Sequence, residues 1–421
     1  MSFKVNNLLY AAGEGILNTH RTAVTLKDPV DPRMLEEAIR KAAVRYPYFA
    51  VRLERQGEAY VMEPNGRPFV LSPAGGTVTL GTEESNGHLF AFAWDGCRFY
   101  ADASHFVTDG NGIFPFLKTI LYYYVTDRYP DAALDPKKFA LAGDPVPEQE
   151  ADDDPYPEEP LPEHPVCEET RPEKIFRPED QPGGYSNREG WTSFRFAVPQ
   201  KELMAFASSI DGSPASFIAT LLYRAVCEVH PENRLPLVCG MQHQFRKALG
   251  RPFSHLSHVR IIPVVYTDAM RGRSLDWLNT ATRGTLVLRA DDANDVPSVN
   301  EHIRNEKAIR GMTLAEKQRY MRKAVLGGVG MNTFGVSYTG RVPWSGLDRY
   351  ITAVAPYIDM ALSGGITAEI FSVGEVFDIN IMQRNDDRRY AERIESILRE
   401  NGVRYTAAEP EPFAICDFRL P

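Results

Sequence analysis

Cysteine is scarce in this chain. Cys97, Cys167, Cys227, Cys239 and Cys416 are an odd number, widely spaced, with no Cys-x-x-Cys pair. That argues against a disulfide framework and a thiolate zinc site, and reads as reduced, mostly buried thiols. No run approaches the roughly 18 apolar residues of a membrane span. The opening MSFKVNNLLYAAGEG carries one lysine before a short, broken apolar stretch, which is not the shape of a secretory signal. A cytoplasmic protein is the expectation. Positive charge is in deficit, with 47 Lys and Arg against 56 Asp and Glu for a net −9, which disfavours nucleic acid or an anionic membrane as partner. Also missing are a Gly-x-Gly-x-x-Gly turn, a Walker loop, a Gly-x-Ser-x-Gly elbow and any repeat of 20–50 residues.

What is present is a globular balance, 43% hydrophobic and 24% charged, over 421 residues. That length exceeds what one core usually organises and predicts two lobes. Asp31 and Pro32 have the form of a cap and first turn, and Leu35, Ala38, Ile39, Ala42 and Ala43 keep one apolar helical face up to Tyr46-Pro47, where proline stops it. The segment HLFAFAWDGCRFYADASHF predicts a hairpin about Asp95-Gly96 whose second strand ends at His105. From 143 to 184 the chain is rich in proline and acid and poor in aliphatics, and predicts a solvated connection between domains. Beyond it, Trp191 to Val198 predicts a strand, Ser213-Pro214 a capped helix to Val229, and LPLVCGMQ and VRIIPVVY buried strands. Helices are expected over 275–320, strands in FGVSYTG and EIFSVGEVFDINIMQ, and an amphipathic helix over Tyr390 to Glu400. The expected domains are 1–142, a linker over 143–190, and 191–421.

The strongest local signal is His105-Phe-Val-Thr-Asp109-Gly110, followed by Asn111-Gly112 and the apolar segment IFPFLKTILYYY. The three fixed residues alone are weakly specific. Their context adds to them, because a strand running into a histidine, a Gly-rich turn and a buried helix can present an imidazole at an opening while packing holds it. Asp109 is four extended residues from His105, about 13 Å, so only a turn could bring its carboxylate to the ring. It could instead cap the helix over 113–125. His243, His255 and His258 offer a competing reading as metal ligands, the last two at helical spacing, but no neighbouring carboxylate or cysteine completes a site and none is expected.

The His-x-x-x-Asp-Gly segment resembles the signature of the chloramphenicol acetyltransferase and condensation-domain superfamily. VDPRMLEEAIRKAAVRYPYFAVRL (Val30 to Leu53) is similar to that family's first helix and strand, MQHQFRKALGR (Met241 to Arg251) to its strand ending at an arginine and a basic loop, and GVSYTGRV (Gly335 to Val342) to its Ser-Asn-x-Gly-Arg segment. The resemblance implies an α/β fold of two similar lobes, each a mixed sheet with helices, meeting at an active-site tunnel. It implies His105 as general base for moving an acyl group from a thioester to a hydroxyl or amine, a step that suits a histidine near neutral pKa. Asp109 then pairs with Arg246 instead of the base, and Gly110 permits a tight turn. Ser337 or Thr339 supplies the oxyanion donor, and Lys247 and Arg251 meet the phosphates of a CoA or carrier-bound pantetheine arm.

Three departures shape the expectation. Ser104 stands where peptide-forming condensation domains carry a second histidine, which favours alcohol or amine acylation. The Asp-Phe-Gly-Trp-Gly box of plant acyltransferases is absent. Tyr338 replaces an asparagine and would reshape the acyl pocket. No cofactor is expected beyond acyl-CoA or acyl-pantetheine as co-substrate, with a small-molecule acceptor and a carrier protein as partners. The rival readings are a catalytically silent carrier-binding scaffold and a condensation-type, amide-bond-forming enzyme.

Overall fold

The computed structural model describes residues 3, 4, 6–13, 16–151, 156–166, 171–178, 190–329, 332–360 and 364–421. Of the expected linker, residues 152–155, 167–170 and 179–189, Cys167 among them, lie outside the described residues.

Two sheets dominate. The first orders its strands Ile351–Ile358, Thr19–Leu26, Arg98–Ser104, Phe90–Asp95 and Leu71–Ser72. The second runs Val259–Tyr266, Leu237–Gln244, Phe334–Tyr338, Ile366–Val373, Val376–Gln383 and Thr192–Pro199, closed by the short strands Thr406–Ala407 and Glu411–Pro412. Phe334–Tyr338 lies parallel to both its neighbours, and the remaining pairs of this sheet are antiparallel. The hairpin forms as the sequence predicts, with Asp95 opposite Arg98 and Gly96 at a φ of 53°.

The helix Pro32–Ala43 starts as predicted, the Asp31 carboxylate accepting from the Arg33 and Met34 amides. Leu35, Ala38, Ile39 and Ala42 are its buried stripe. Ser213 and Ser216 cap Pro214–Val229 reciprocally. The helices Leu275–Arg289, Asp292–Ile309 and Leu314–Val329 fill the stretch expected to be helical. No helix among the described residues is long and apolar enough to cross a membrane.

Besides several two-residue strands, two eight-residue strands escape the sequence reading, Thr19–Leu26 and Ile351–Ile358. They pair antiparallel with each other, so a strand from the second half of the chain forms the edge of the first half's sheet. The boundary over 143–190 therefore divides the chain but not the sheets. Each sheet has its own core, and Trp344, Leu347, Ile351, Val354, Phe371 and Phe418 from the second half lie in the first half's core.

The acidic connection is not purely solvated. Glu150 makes a two-pronged pair with Arg45 at 2.7 and 2.8 Å and accepts from the Tyr48 hydroxyl at 3.0 Å, and its carbonyl accepts from the His255 amide at 2.7 Å. Leu161 exchanges hydrogen bonds with the Asn300 side chain, and Tyr156 stacks on His302 at 5.0 Å. Those described residues pack on both halves because each finds a buried polar or aromatic partner, which composition does not reveal.

Candidate active site

The strand Arg98–Ser104, buried over nearly its whole length between two neighbours, ends at Ser104 and releases His105 into a turn. The His105 amide donates to the Asn18 carbonyl at 2.8 Å. Asn18 sits at a φ of 51°, a left-handed conformation that asparagine tolerates. It is pinned there by the buried Asp359 carboxylate, which accepts from the Leu17 and Asn18 amides at 2.8 and 3.1 Å. His105 is thus held by a backbone bond to Asn18, which the Asp359 carboxylate holds in turn.

The His105 ring lies 4.4 Å from the His20 ring at a 41° tilt. Burial lowers the pKa of His105, and the carboxylates of Asp109 and Asp359 and a hydrogen bond to the Thr108 backbone oppose that only in part. His20 is held well below its ordinary value by burial and by its neighbour. Both imidazoles are neutral at neutral pH, the form in which a ring nitrogen accepts a proton. His20 Nε2 is buried and has no hydrogen-bond partner among the described residues. Sequence reasoning missed His20, because nothing in THRTAVTL marks its proximity to residue 105.

Asp109 is turned to other work. Arg246 Nη2 lies 2.7 and 2.8 Å from its two oxygens, and the amides of Asn111, Gly112 and His258 donate to them at 3.0, 2.9 and 3.1 Å. Arg246 in turn donates to the Ser254 and Leu256 carbonyls and to Gln244 Oε1. Both side chains are at most 5% exposed. These donors hold the carboxyl below its ordinary pKa against burial. With its oxygens so occupied, Asp109 reaches His105 through its field and not as a dyad partner. Nor is it the cap residue of the helix Phe114–Arg128, which begins after Ile113.

The two glycines of the turn differ. Gly110, expected to permit a tight turn, is not in the left-handed region, and a β-carbon there would stand 4.0 Å from Thr339 Oγ1, an ordinary contact, so neither backbone conformation nor space demands glycine. Gly112 is the close approach, since a β-carbon would come within 2.0 Å of the His255 carbonyl. Thr108 Oγ1 donates to that same carbonyl at 2.7 Å. The motif turn is therefore docked on the loop that Arg246 organises.

From the second sheet, Ser337 is buried and Thr339 half-buried, two residues apart on one face. Tyr338 alternates to the other face and packs 6.1 Å from Phe377, so its bulk faces the helices and not the side that Gly110 approaches. Beside Ser337 in register is Glu369, 4% exposed, whose carboxyl burial pushes up to about 7 while a hydrogen bond with Ser337 lowers it. It too went unnoticed in the sequence, where EIFSV reads only as a strand. Lys247 is exposed and Arg251 half-buried, and neither lines the nearby cavity of about 400 Å³ formed by Asn111, Glu150, Gln244, Arg246, Phe253 and His255. His255 and His258 bind protein groups, Tyr48 and Ser254 respectively.

No family model and no curated protein matches the chain. Solved structures do. The chain overlays F. sporotrichioides TRI101 complexed with coenzyme A and T-2 at a TM-score of 0.59 and 10% identity, covering 97% of this chain and 99% of that one. The chain shares the two-lobed α/β fold of that structure. Polyketide synthase associated protein 5 from Mycobacterium tuberculosis matches with a TM-score of 0.56 at 13% identity over 94% and 96% of the two chains. The condensation domain of the Monacolin K polyketide synthase MokA gives 0.56 at 11% over 95% and 96%. On this fold the strand bearing Ser337 and the turn bearing His105 come from different halves of the chain and approach each other at Thr339 and Gly110.

Proposed function

We propose that the protein is an acyltransferase that moves an acyl group from a CoA or carrier-bound pantetheine thioester to a hydroxyl or amine by direct attack. The observation that carries this reading is the neutral, backbone-anchored imidazole of His105 on a turn that the Asp109 and Arg246 pair holds against the second half. With one ring nitrogen engaged by the Thr108 backbone, the other is free to accept a proton. The acceptor O–H or N–H gives its proton to that nitrogen as its oxygen or nitrogen attacks the thioester carbonyl. The resulting oxyanion accepts a hydrogen bond from Ser337 or Thr339. Collapse breaks the C–S bond, and the departing thiolate takes the proton back from the imidazolium. Lys247 and Arg251, on the basic loop that follows Arg246, would meet the phosphates of the donor.

The test is thiol release from a panel of acyl-CoA donors with alcohol and amine acceptors, comparing wild type with His105→Ala. Turnover is expected to fall by about 10²–10⁴ with little change in melting temperature, the usual cost of losing a general base. Wild-type turnover in the variant would remove His105 from the role.

A further inference from the structure

Glu369 stands near the middle of the second sheet, on Ile366–Val373. Ile366, Ala368 and Ile370 face the helices of the second half, so Thr367, Glu369 and Phe371 face the other way, and Phe371 meets Phe114, just past the motif turn, at 5.2 Å. Across the sheet Glu369 lies between Ser337 and Asn380. The Asn380 amide is already spent, accepting from Ser193 at 2.6 Å and donating to the Pro356 carbonyl at 2.7 Å.

The charged and titratable groups on the neighbouring elements are likewise committed. Arg195 and Asp378 hold each other at 2.7 Å, Tyr357 on the edge strand donates to Glu411 at 3.0 Å, Asp109 is held by Arg246, and Tyr338 faces the helices. His105 on the motif turn is neutral. What distinguishes Glu369 is its place directly beside Ser337 in the register of the sheet, on the face turned away from the helices.

A serine hydroxyl has one proton to give. Beside an ionised carboxylate, that proton goes to the carboxylate and the hydroxyl offers only lone pairs to an oxyanion. Beside a protonated carboxyl, the carboxyl donates to Oγ and leaves the serine proton free to turn to the oxyanion, in a chain whose members polarise one another. We propose that Glu369, in its protonated form, is the positioning residue that makes Ser337 an oxyanion donor. This rests on the acyl-transfer reading of the site. Because burial brings the carboxyl to about 7, the donor state is present at mildly acidic pH and withdrawn as the pH rises.

The experiment is the pH dependence of kcat, by thiol release from acyl-CoA, for wild type, Glu369→Gln, Glu369→Ala, Ser337→Ala and the Gln/Ala double variant. Wild-type kcat is expected to decline as pH rises through about 7. Glu369→Gln supplies a permanent N–H donor to Ser337, so its kcat should stay within about threefold of wild type at pH 6 and lose the alkaline decline. Ser337→Ala should lower kcat by about 10²–10³, and adding Glu369→Gln to it should change nothing further. Glu369→Ala, if it folds, should lose activity at every pH. The isosteric Gln variant keeps the test decisive if it does not.

A Gln variant as inactive as the Ala variant, or one that keeps the wild-type decline, overturns the proposal. So does a kcat effect of Glu369→Gln that persists without Ser337. If the wild type releases no thiol from any donor, the acyl-transfer reading fails and this proposal with it. Turnover that requires His105 but ignores Glu369 sinks the proposal alone.

Discussion

At the scale of single residues, the motif was legible because its chemistry is local. A histidine, an aspartate and two glycines within eight positions, between a strand and a helix, can be read along the chain. The partner of Asp109 lies 137 positions away, and only family resemblance proposed Arg246. His20 and Glu369 had no such guide, since their meaning comes from side chains brought near by sheet register. The Asp109 and Arg246 contact is open to a double-mutant cycle. Removing either partner strands the other charge in a buried site, a loss of roughly 3–5 kcal/mol. Asp109→Ala also frees three backbone amides that now have a partner. The double variant should lose less than the sum of the two, by more than about 1 kcal/mol in urea denaturation. Additive losses would mean that the pair contributes no coupling.

At the scale of elements, the two unread strands were hidden for different reasons. Thr19–Leu26 carries Thr, His, Arg and Thr at its start, yet these are buried, so the polar and apolar alternation that marks a half-exposed strand is absent. Arg21 is tolerated because Asp102, opposite it, takes two of its N–H groups at 2.8 and 2.9 Å. Ile351–Ile358 contains Pro356, which argues against a central strand but suits the edge position it occupies. The acidic connection misled in the opposite sense, since proline and acid suggested a dispensable tether. Arg45 is 4% exposed and its guanidinium is matched by Glu150. Glu150→Ala should therefore destabilise the protein by about 3 kcal/mol, seen as a lowered urea midpoint. Deleting 148–158 should cost more, because Tyr156 goes with it. An unchanged midpoint in both variants would restore the picture of a free tether.

At the scale of the whole molecule, two lobes with separate cores suggest two units that could fold apart, and the exchange of strands argues that they cannot. Without the second half, the sheet that presents His105 loses its edge strand Ile351–Ile358, and Thr19–Leu26 is left unpaired on that side. Trp344, Leu347, Ile351, Val354, Phe371 and Phe418 leave the first core at the same time. At about 1.5–3 kcal/mol for each buried side chain, the loss is roughly 10–20 kcal/mol. That matches or exceeds the roughly 5–15 kcal/mol by which a folded protein usually outweighs its unfolded chain. Residues 1–142 produced alone should then show no cooperative melting transition. The same fragment produced together with 191–421 should melt with it as one complex, and the intact chain should give a single calorimetric transition whose van't Hoff and calorimetric enthalpies agree. Two well-separated transitions in the intact chain, or a folded 1–142 fragment, would show that the exchanged strand and its neighbours add little and that the halves are independent after all.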